Sequence, residues 1–190
     1  MGLAVPEGYL NTSPERANLG VQLDQFYLCV GRLNVRKNLE FVISALRSAK
    51  KISANFPLVI VGQPEGLTGQ GVTDMIDDVH KDLIFAGFIP DSELKWLYQN
   101  CQAFIFASLD EGFGLPILEA ELSGSPSVLS DIKAFREVSR NPRTRFFNPR
   151  SAESLIDALD QLPEVGDREV DNHSSYSWTR TVRKIRELIE

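Results

Sequence analysis

The sequence predicts an α/β domain built on a doubly wound, six-stranded parallel sheet with helices on both faces. Six short apolar runs recur along the chain: FYLCV (26–30), PLVIV (57–61), DLIFA (82–86), AFIFA (103–107), PSVLS (126–130) and RFF (145–147). Segments with helical spacing separate them, and the runs are apolar along nearly their whole length, as strands covered on both faces must be. A chain of 190 residues suits one domain with a full core.

The helices are signalled separately. Leu39, Val42, Ile43 and Leu46 fall at i, i+3, i+4 and i+7, one apolar helix face. Further helical segments are predicted at 72–80, 92–100, 116–123 and 151–161. The segment at 116–123 opens with Pro116, tolerated in a first turn, and is followed by Gly124, a common helix stop. Residues 1–22, with Pro6, Gly8, Pro14 and Gly20 and no sustained period, read as a linker; residues 23–170 read as the domain. Residues 171–190 read as a closing amphipathic helix through Trp178, Val182, Ile185 and Leu188, with Ser177 as its cap.

Composition excludes several classes of function. Apolar residues make up 43% and charged ones 24%, an ordinary globular balance, and the net charge of -6 lacks the attraction that drives binding to polyanions. No nucleic-acid partner is expected. There is no transmembrane segment in the apolar pattern and no signal peptide at the start, which makes the cytosol the expected compartment. Cys29 and Cys101 lie in or beside strand-like runs and read as core thiols, while His80 and His173 form no ligand spacing, so no metal site is expected.

A sheet ordered 3-2-1-4-5-6 binds ligands outside the carboxyl ends of strands 1 and 4, where the winding reverses. The loop after strand 1 runs from Gly31 to Asn38 and carries Arg32, Arg36 and Lys37. Cations at a helix start are misplaced by about 0.3–1 kcal/mol each unless an anion joins them. Arg32 and Lys37 are therefore candidates for phosphate contact, and Arg36 reads as solvated. The loop after strand 4 holds Glu111, Gly112 and Gly114 and leads into the helix of Glu119; Asp110 and Glu121 read as surface charges. The signature GxxxxGK[ST] is absent, and GQPEGLTGQG follows the second strand rather than the first, so ATPase and ordinary NAD readings lose ground. Gly62 to Gly71 reads as a flexible loop.

VGRLNVRKN, VIVGQPEG, FAGFIPDSELKWLYQNC and EGFGLPILEAELSGSPSVLS together resemble the C-terminal half of a family 4 retaining glycosyltransferase of the GT-B fold, over residues 23–160. The most specific element is the E-x7-E pattern from Glu111 to Glu119 with its EGFGLP core. The resemblance implies that Arg32 and Lys37, beside Gly31, hold a donor diphosphate, that Glu111 lies near the donor sugar, and that Glu119 accepts hydrogen bonds from ribose hydroxyls. It implies that Gly112, Phe113, Gly114 and Leu115 offer backbone N–H groups, and that Phe88 and Ile89 line a base pocket. Two departures stand out: VGQPEG replaces the more usual VGxG, and Glu121 replaces a commonly apolar residue.

What the resemblance implies for function is a Rossmann-like donor-binding domain of a hexosyltransferase. The donor substrate is a GDP- or UDP-linked sugar, with mannose suggested, and neither metal nor a further cofactor is required. A glycan or lipid-linked acceptor would be held by a missing N-terminal half, through which the protein could also lie against a membrane. The isolated chain would then be inactive. The main alternative is a noncatalytic nucleotide-sugar binding module, or a subunit requiring a partner. A nucleotide-sugar epimerase fits the EGFGLPILEA stretch less well, a carboxylate-pair glycosidase leaves Arg32 and Lys37 without a role, and a protein-interaction domain ranks last.

Overall fold

In the computed structural model the described residues are Tyr9, 11–20, Leu23, 25–32, 34–63 and 81–163. The elements are β1 (Tyr27–Val30), α1 (Leu39–Ser48), β2 (Leu58–Val61), β3 (Leu83–Gly87), α2 (Asp91–Asn100), β4 (Ala103–Phe106), α3 (Leu115–Leu122), β5 (Ser127–Ser130), α4 (Lys133–Val138), β6 (Thr144–Phe147) and α5 (Ala152–Asp160). The sheet order is β3-β2-β1-β4-β5-β6 with every neighbouring pair parallel, the doubly wound order expected. The expected helices at 72–80 and 171–190, His80, His173 and most of the Gly62 to Gly71 loop lie outside the described residues.

Strand residues alternate between two cores because successive side chains point to opposite faces. Leu28, Val59, Val61, Phe104 and Phe106 join one core, covered by α2, α3 and α4 through Leu97, Tyr98, Ile117, Leu118, Phe135 and Val138. Tyr27, Leu58, Ile60 and Ile105 join the other, covered by α1 and α5 through Val42, Ile43, Leu46, Leu155 and Leu159. Each large side chain buried this way contributes about 1.5–3 kcal/mol relative to exposure. The chelated pair of Arg47 and Asp82, with contacts of 2.9 and 2.8 Å, ties α1 to the start of β3.

Two elements differ from expectation. Helix α4 is only six residues long, too short for a periodic signal, yet it buries Phe135 and Val138. Within the stretch read as a linker, Tyr9 and Ala17 are buried in the first core, a packing the sequence did not signal. Residues there run along α2: Glu15 N–H donates to the Ser92 carbonyl at 3.1 Å, Lys95 Nζ donates to the Thr12 carbonyl at 2.8 Å, and the Arg16 guanidinium stands over the Trp96 ring. Apolar residues interleaved with the prolines and glycines of this segment thus pack onto the first core.

Both thiols pack as expected. Cys101 is fully buried with its Sγ 3.1 Å from Ser125 Oγ, and burial pushes the Cys29 thiol up to about 12, leaving it protonated at neutral pH.

Candidate functional site

The parallel order sets the carboxyl ends of β1 and β4 side by side. Their loops are tied directly, because Leu109 N–H donates to the Arg36 carbonyl at 2.8 Å. Between them opens a cleft of about 650 Å³ lined by Lys37, Phe106, Glu111, Gly112, Phe113, Gly114, Leu115 and Pro116.

Lys37 ends a single 3-10 turn, Val35–Lys37, that precedes α1. Its Nζ lies 2.6 Å from Glu111 Oε1 and 4.3 Å from the centre of the Phe106 ring. The Ser108 hydroxyl donates to the same carboxylate oxygen at 3.0 Å, and Ser108 is fully buried. The side chains of Lys37 and Glu111 are 18% and 15% exposed, so water screens their attraction less than it would on an open surface. Gly31 makes room for the lysine. At φ 133° it adopts a conformation most residues avoid, and a Cβ there would stand 3.2 Å from Lys37 Cε.

This arrangement revises the electrostatic argument made from sequence. Lys37 stands just before the N-cap of α1 and already has a carboxylate partner in Glu111. An unpaired cation at this position is therefore not what draws an anion here.

Gly114 shapes the other wall. It caps α3 at φ 96°, and a Cβ there would come 3.1 Å from both Phe135 and Ile117. A Cβ at Gly112 would meet nothing within 4 Å, so close approach requires the second glycine of GFG and not the first.

Glu119 sits on α3, and the Tyr98 hydroxyl from α2 donates to its Oε2 at 3.2 Å. Burial raises the Glu119 carboxyl above its ordinary range, the Tyr98 hydrogen bond opposes that rise, and the nearby Asp91 charge adds to it. The Tyr98 ring meets Phe104 edge-on at 5.2 Å, Phe104 lies 5.5 Å from Phe106, and Phe106 stacks on Phe135 at 4.9 Å. An aromatic ridge along β4 thus connects the Glu119 partner to the ring beneath Lys37.

The structure gathers Lys37, Glu111 and residues 112–115 into one cleft, with Gly31 directly under the lysine. Arg32 is exposed on the same loop. Phe88 and Ile89, adjacent in sequence, part company: Phe88 is 84% exposed beyond β3 and Ile89 is buried in the core. Among the described residues no group of three or more His, Cys, Asp or Glu is placed to hold a metal ion. None of the described helices is long and apolar enough to cross a membrane.

A family model described as "Glycosyl transferases group 1" matches residues 13–173. The chain belongs to this family. It is 31% identical over 171 residues to the serotype-specific mannosyltransferase WbdA of Escherichia coli, which covers 83% of the chain and 21% of the relative. It is 33% identical over 148 residues to the O-antigen chain mannosyltransferase RfbU of Salmonella typhimurium, covering 75% of the chain and 40% of that protein. The chain thus spans well under half the length of these two curated relatives. Its fold matches sucrose-phosphate synthase from Thermosynechococcus elongatus with a TM-score of 0.76 at 19% identity, over 98% of the chain and 50% of that structure. It also matches the C-terminal domain of a glycosyl transferase group 1 family protein (LpcC) from Francisella tularensis with a TM-score of 0.65 at 23% identity, over 82% of the chain and 86% of that domain.

One carboxylate of this family member was misjudged from its sequence, and two hydroxyls were missed. Glu121, read as a surface charge, accepts from the Ser139 hydroxyl at 2.8 Å and from the Arg140 and Asn141 N–H groups at 2.8 and 3.1 Å, all through Oε1. Its departure from an apolar residue is explained by this anchor for the turn after α4. Ser108 carried a weak signal, lying just past a strand and three residues before Glu111. Tyr98 carried none, since its place on an apolar helix face reads equally as core.

Proposed function

We propose that the chain is the donor-binding domain of a retaining hexosyltransferase, moving a mannosyl group from a nucleoside-diphosphate sugar to a glycan or lipid-linked acceptor. The observation that carries this reading is the cleft at the switch point, where Lys37, Glu111 and the Gly114-capped start of α3 converge. The mannosyltransferase names of the relatives support mannose as the sugar.

In this reading Lys37 and Arg32 take the diphosphate, and the N–H groups of residues 112–115 reach phosphate and sugar hydroxyls. Glu111 faces the sugar, Glu119 accepts from the ribose, and the exposed Phe88 flanks the base, while the buried Ile89 supports it from the core. As the glycosidic C–O bond breaks, its electron pair passes to the diphosphate oxygen and positive charge develops on the sugar ring. Fixed cations and backbone dipoles stabilise the first change, and a carboxylate stabilises the second. These groups act without a metal ion. The acceptor would be held by a second, N-terminal half, without which the chain binds donor but does not turn over. A cytoplasmic site of action, at the membrane face through that half, follows from the lipid-linked acceptor.

Calorimetric titration of the 190-residue chain with GDP, UDP, ADP and their sugar conjugates, with and without chelator, tests the reading. Binding at submillimolar concentration that survives chelator is expected, with GDP and GDP-mannose preferred. No binding at millimolar ligand, or binding that requires magnesium, overturns it.

A further inference from the structure

The Glu119 carboxylate is given a defined orientation by a group on a different helix. The Tyr98 hydroxyl donates to Glu119 Oε2 at 3.2 Å, and the Tyr98 ring has no exposure to solvent. Its ring is held edge-on by Phe104 of β4, so the hydroxyl cannot swing away without disturbing the core. We propose that Tyr98 is a positioning residue for donor binding, engaging one oxygen of Glu119 so that the other is presented to the ligand. This rests on the proposed role of Glu119 as the acceptor for ribose hydroxyls.

Two features make Tyr98 more than a packing residue. A buried carboxylate without a donor is costly, and the tyrosine supplies the donor without adding a cation that would tie the carboxylate in an ion pair. The tyrosine also stays protonated, because burial and the Glu119 charge both push its hydroxyl well above the ordinary range. The groups around the carboxylate are Tyr98 and Asp91 from α2, with Tyr9 from the N-terminal segment, whose own hydroxyl lies 3.4 Å from Oγ of Ser123, the residue that caps the end of α3. Asp91 disfavours the ionised carboxylate and Tyr98 favours it, which leaves Tyr98 as the group whose removal changes the charge state of Glu119 most directly.

The test uses the full chain with 13C-labelled glutamate carboxyls, the Glu119 signal being assigned by its absence in Glu119→Gln. In Tyr98→Phe the Glu119 titration midpoint is expected to rise by about one pH unit. The affinity for GDP or UDP, whichever binds, is expected to fall about tenfold at neutral pH and to carry its acid limb upward with the carboxyl. In the unsubstituted chain, the Tyr98 hydroxyl proton is expected downfield and is expected to move in Glu119→Gln, a check that does not depend on how Tyr98→Phe folds. An unmoved Glu119 midpoint in folded Tyr98→Phe, or a Tyr98 proton indifferent to Glu119→Gln, overturns the positioning role. A midpoint that moves while Glu119→Gln leaves GDP and UDP affinity unchanged instead overturns the ribose assignment beneath it, and Tyr98 is then a structural partner only.

Discussion

Lys37 Nζ lies 2.6 Å from Glu111 Oε1, so the cation proposed for the diphosphate and the carboxylate proposed for the sugar form one ion pair across the cleft. An incoming diphosphate and Glu111 then compete for the same ammonium group. Substitution at either residue must be read through the pair.

Removing the carboxylate charge with Glu111→Gln frees Lys37, and affinity for plain GDP or UDP is expected to rise several-fold. Lys37→Ala should do the opposite, losing about tenfold or more, because a charge-assisted contact is worth about 1.5–3 kcal/mol. Titration calorimetry on both variants decides the matter. Equal losses in the two would mean that Glu111 supports the diphosphate rather than competing for its partner. The gain of sugar conjugate over plain diphosphate should shrink in Glu111→Gln, since the carboxylate proposed to face the sugar has lost its charge.

Arg32 offers a simpler contrast because it is exposed on the loop after β1. Arg32→Ala is expected to weaken nucleoside diphosphate binding about tenfold while leaving the parent nucleoside within about twofold, as the nucleoside lacks the group held. Parallel titrations with both ligands check it. A matching loss for the nucleoside would assign Arg32 to the shape of the loop.

The sheet was legible because its strands are nearly continuous apolar runs, and a parallel sheet buried on both faces has no other way to be written. The cleft was legible in part: the two switch-point loops follow from strand order, and Lys37, Glu111 and Gly114 all reach it. What escaped were pairings between elements. Nothing along the chain says that Tyr98 on α2 meets Glu119 on α3, or that Glu121 meets the N–H groups of residues 140 and 141. Polar partners of that kind are fixed by packing, and a sequence shows only the residue types. The buried Tyr9 was hidden by the prolines and glycines around it.

Glu121 yields a stability prediction independent of any ligand. Its Oε1 accepts from one hydroxyl and two backbone N–H groups in the turn after α4. Glu121→Ala removes the acceptor and is expected to cost about 1–3 kcal/mol in urea denaturation, with nucleotide affinity nearly unchanged. A variant of normal stability that binds GDP or UDP poorly would place Glu121 in the site instead.

Gly114→Ala joins fold and site. The added Cβ needs a φ of 96° and would stand 3.1 Å from the Phe135 ring, which itself stacks on Phe106 under Lys37. A loss of about 1–3 kcal/mol is expected from the backbone alone, with a drop in diphosphate affinity from the displaced ridge. Gly112→Ala serves as the control, since its Cβ enters open space, and little loss of stability is expected. If the two variants unfold at the same urea concentration, the cap does not depend on glycine.

Glu119 connects stability to pH. Burial raises its carboxyl in the folded chain above the value it has when unfolded. Between those two values the folded state holds the proton more tightly, so the stabilising contribution is fully present below the unfolded value and is lost as pH rises through the folded one. Glu119→Gln cannot lose a proton, and its stability relative to the unsubstituted chain should therefore climb as pH rises through the upper carboxylate range. Urea midpoints measured for both proteins across that range give the difference directly. A difference that stays flat or falls with pH would mean that the Tyr98 hydrogen bond outweighs burial and holds the carboxyl at or below its ordinary value. If the climb is found together with weaker GDP or UDP binding, Glu119 lowers stability at neutral pH and strengthens binding there. That combination is the mark of a charge kept in a partly buried place because the ligand needs it.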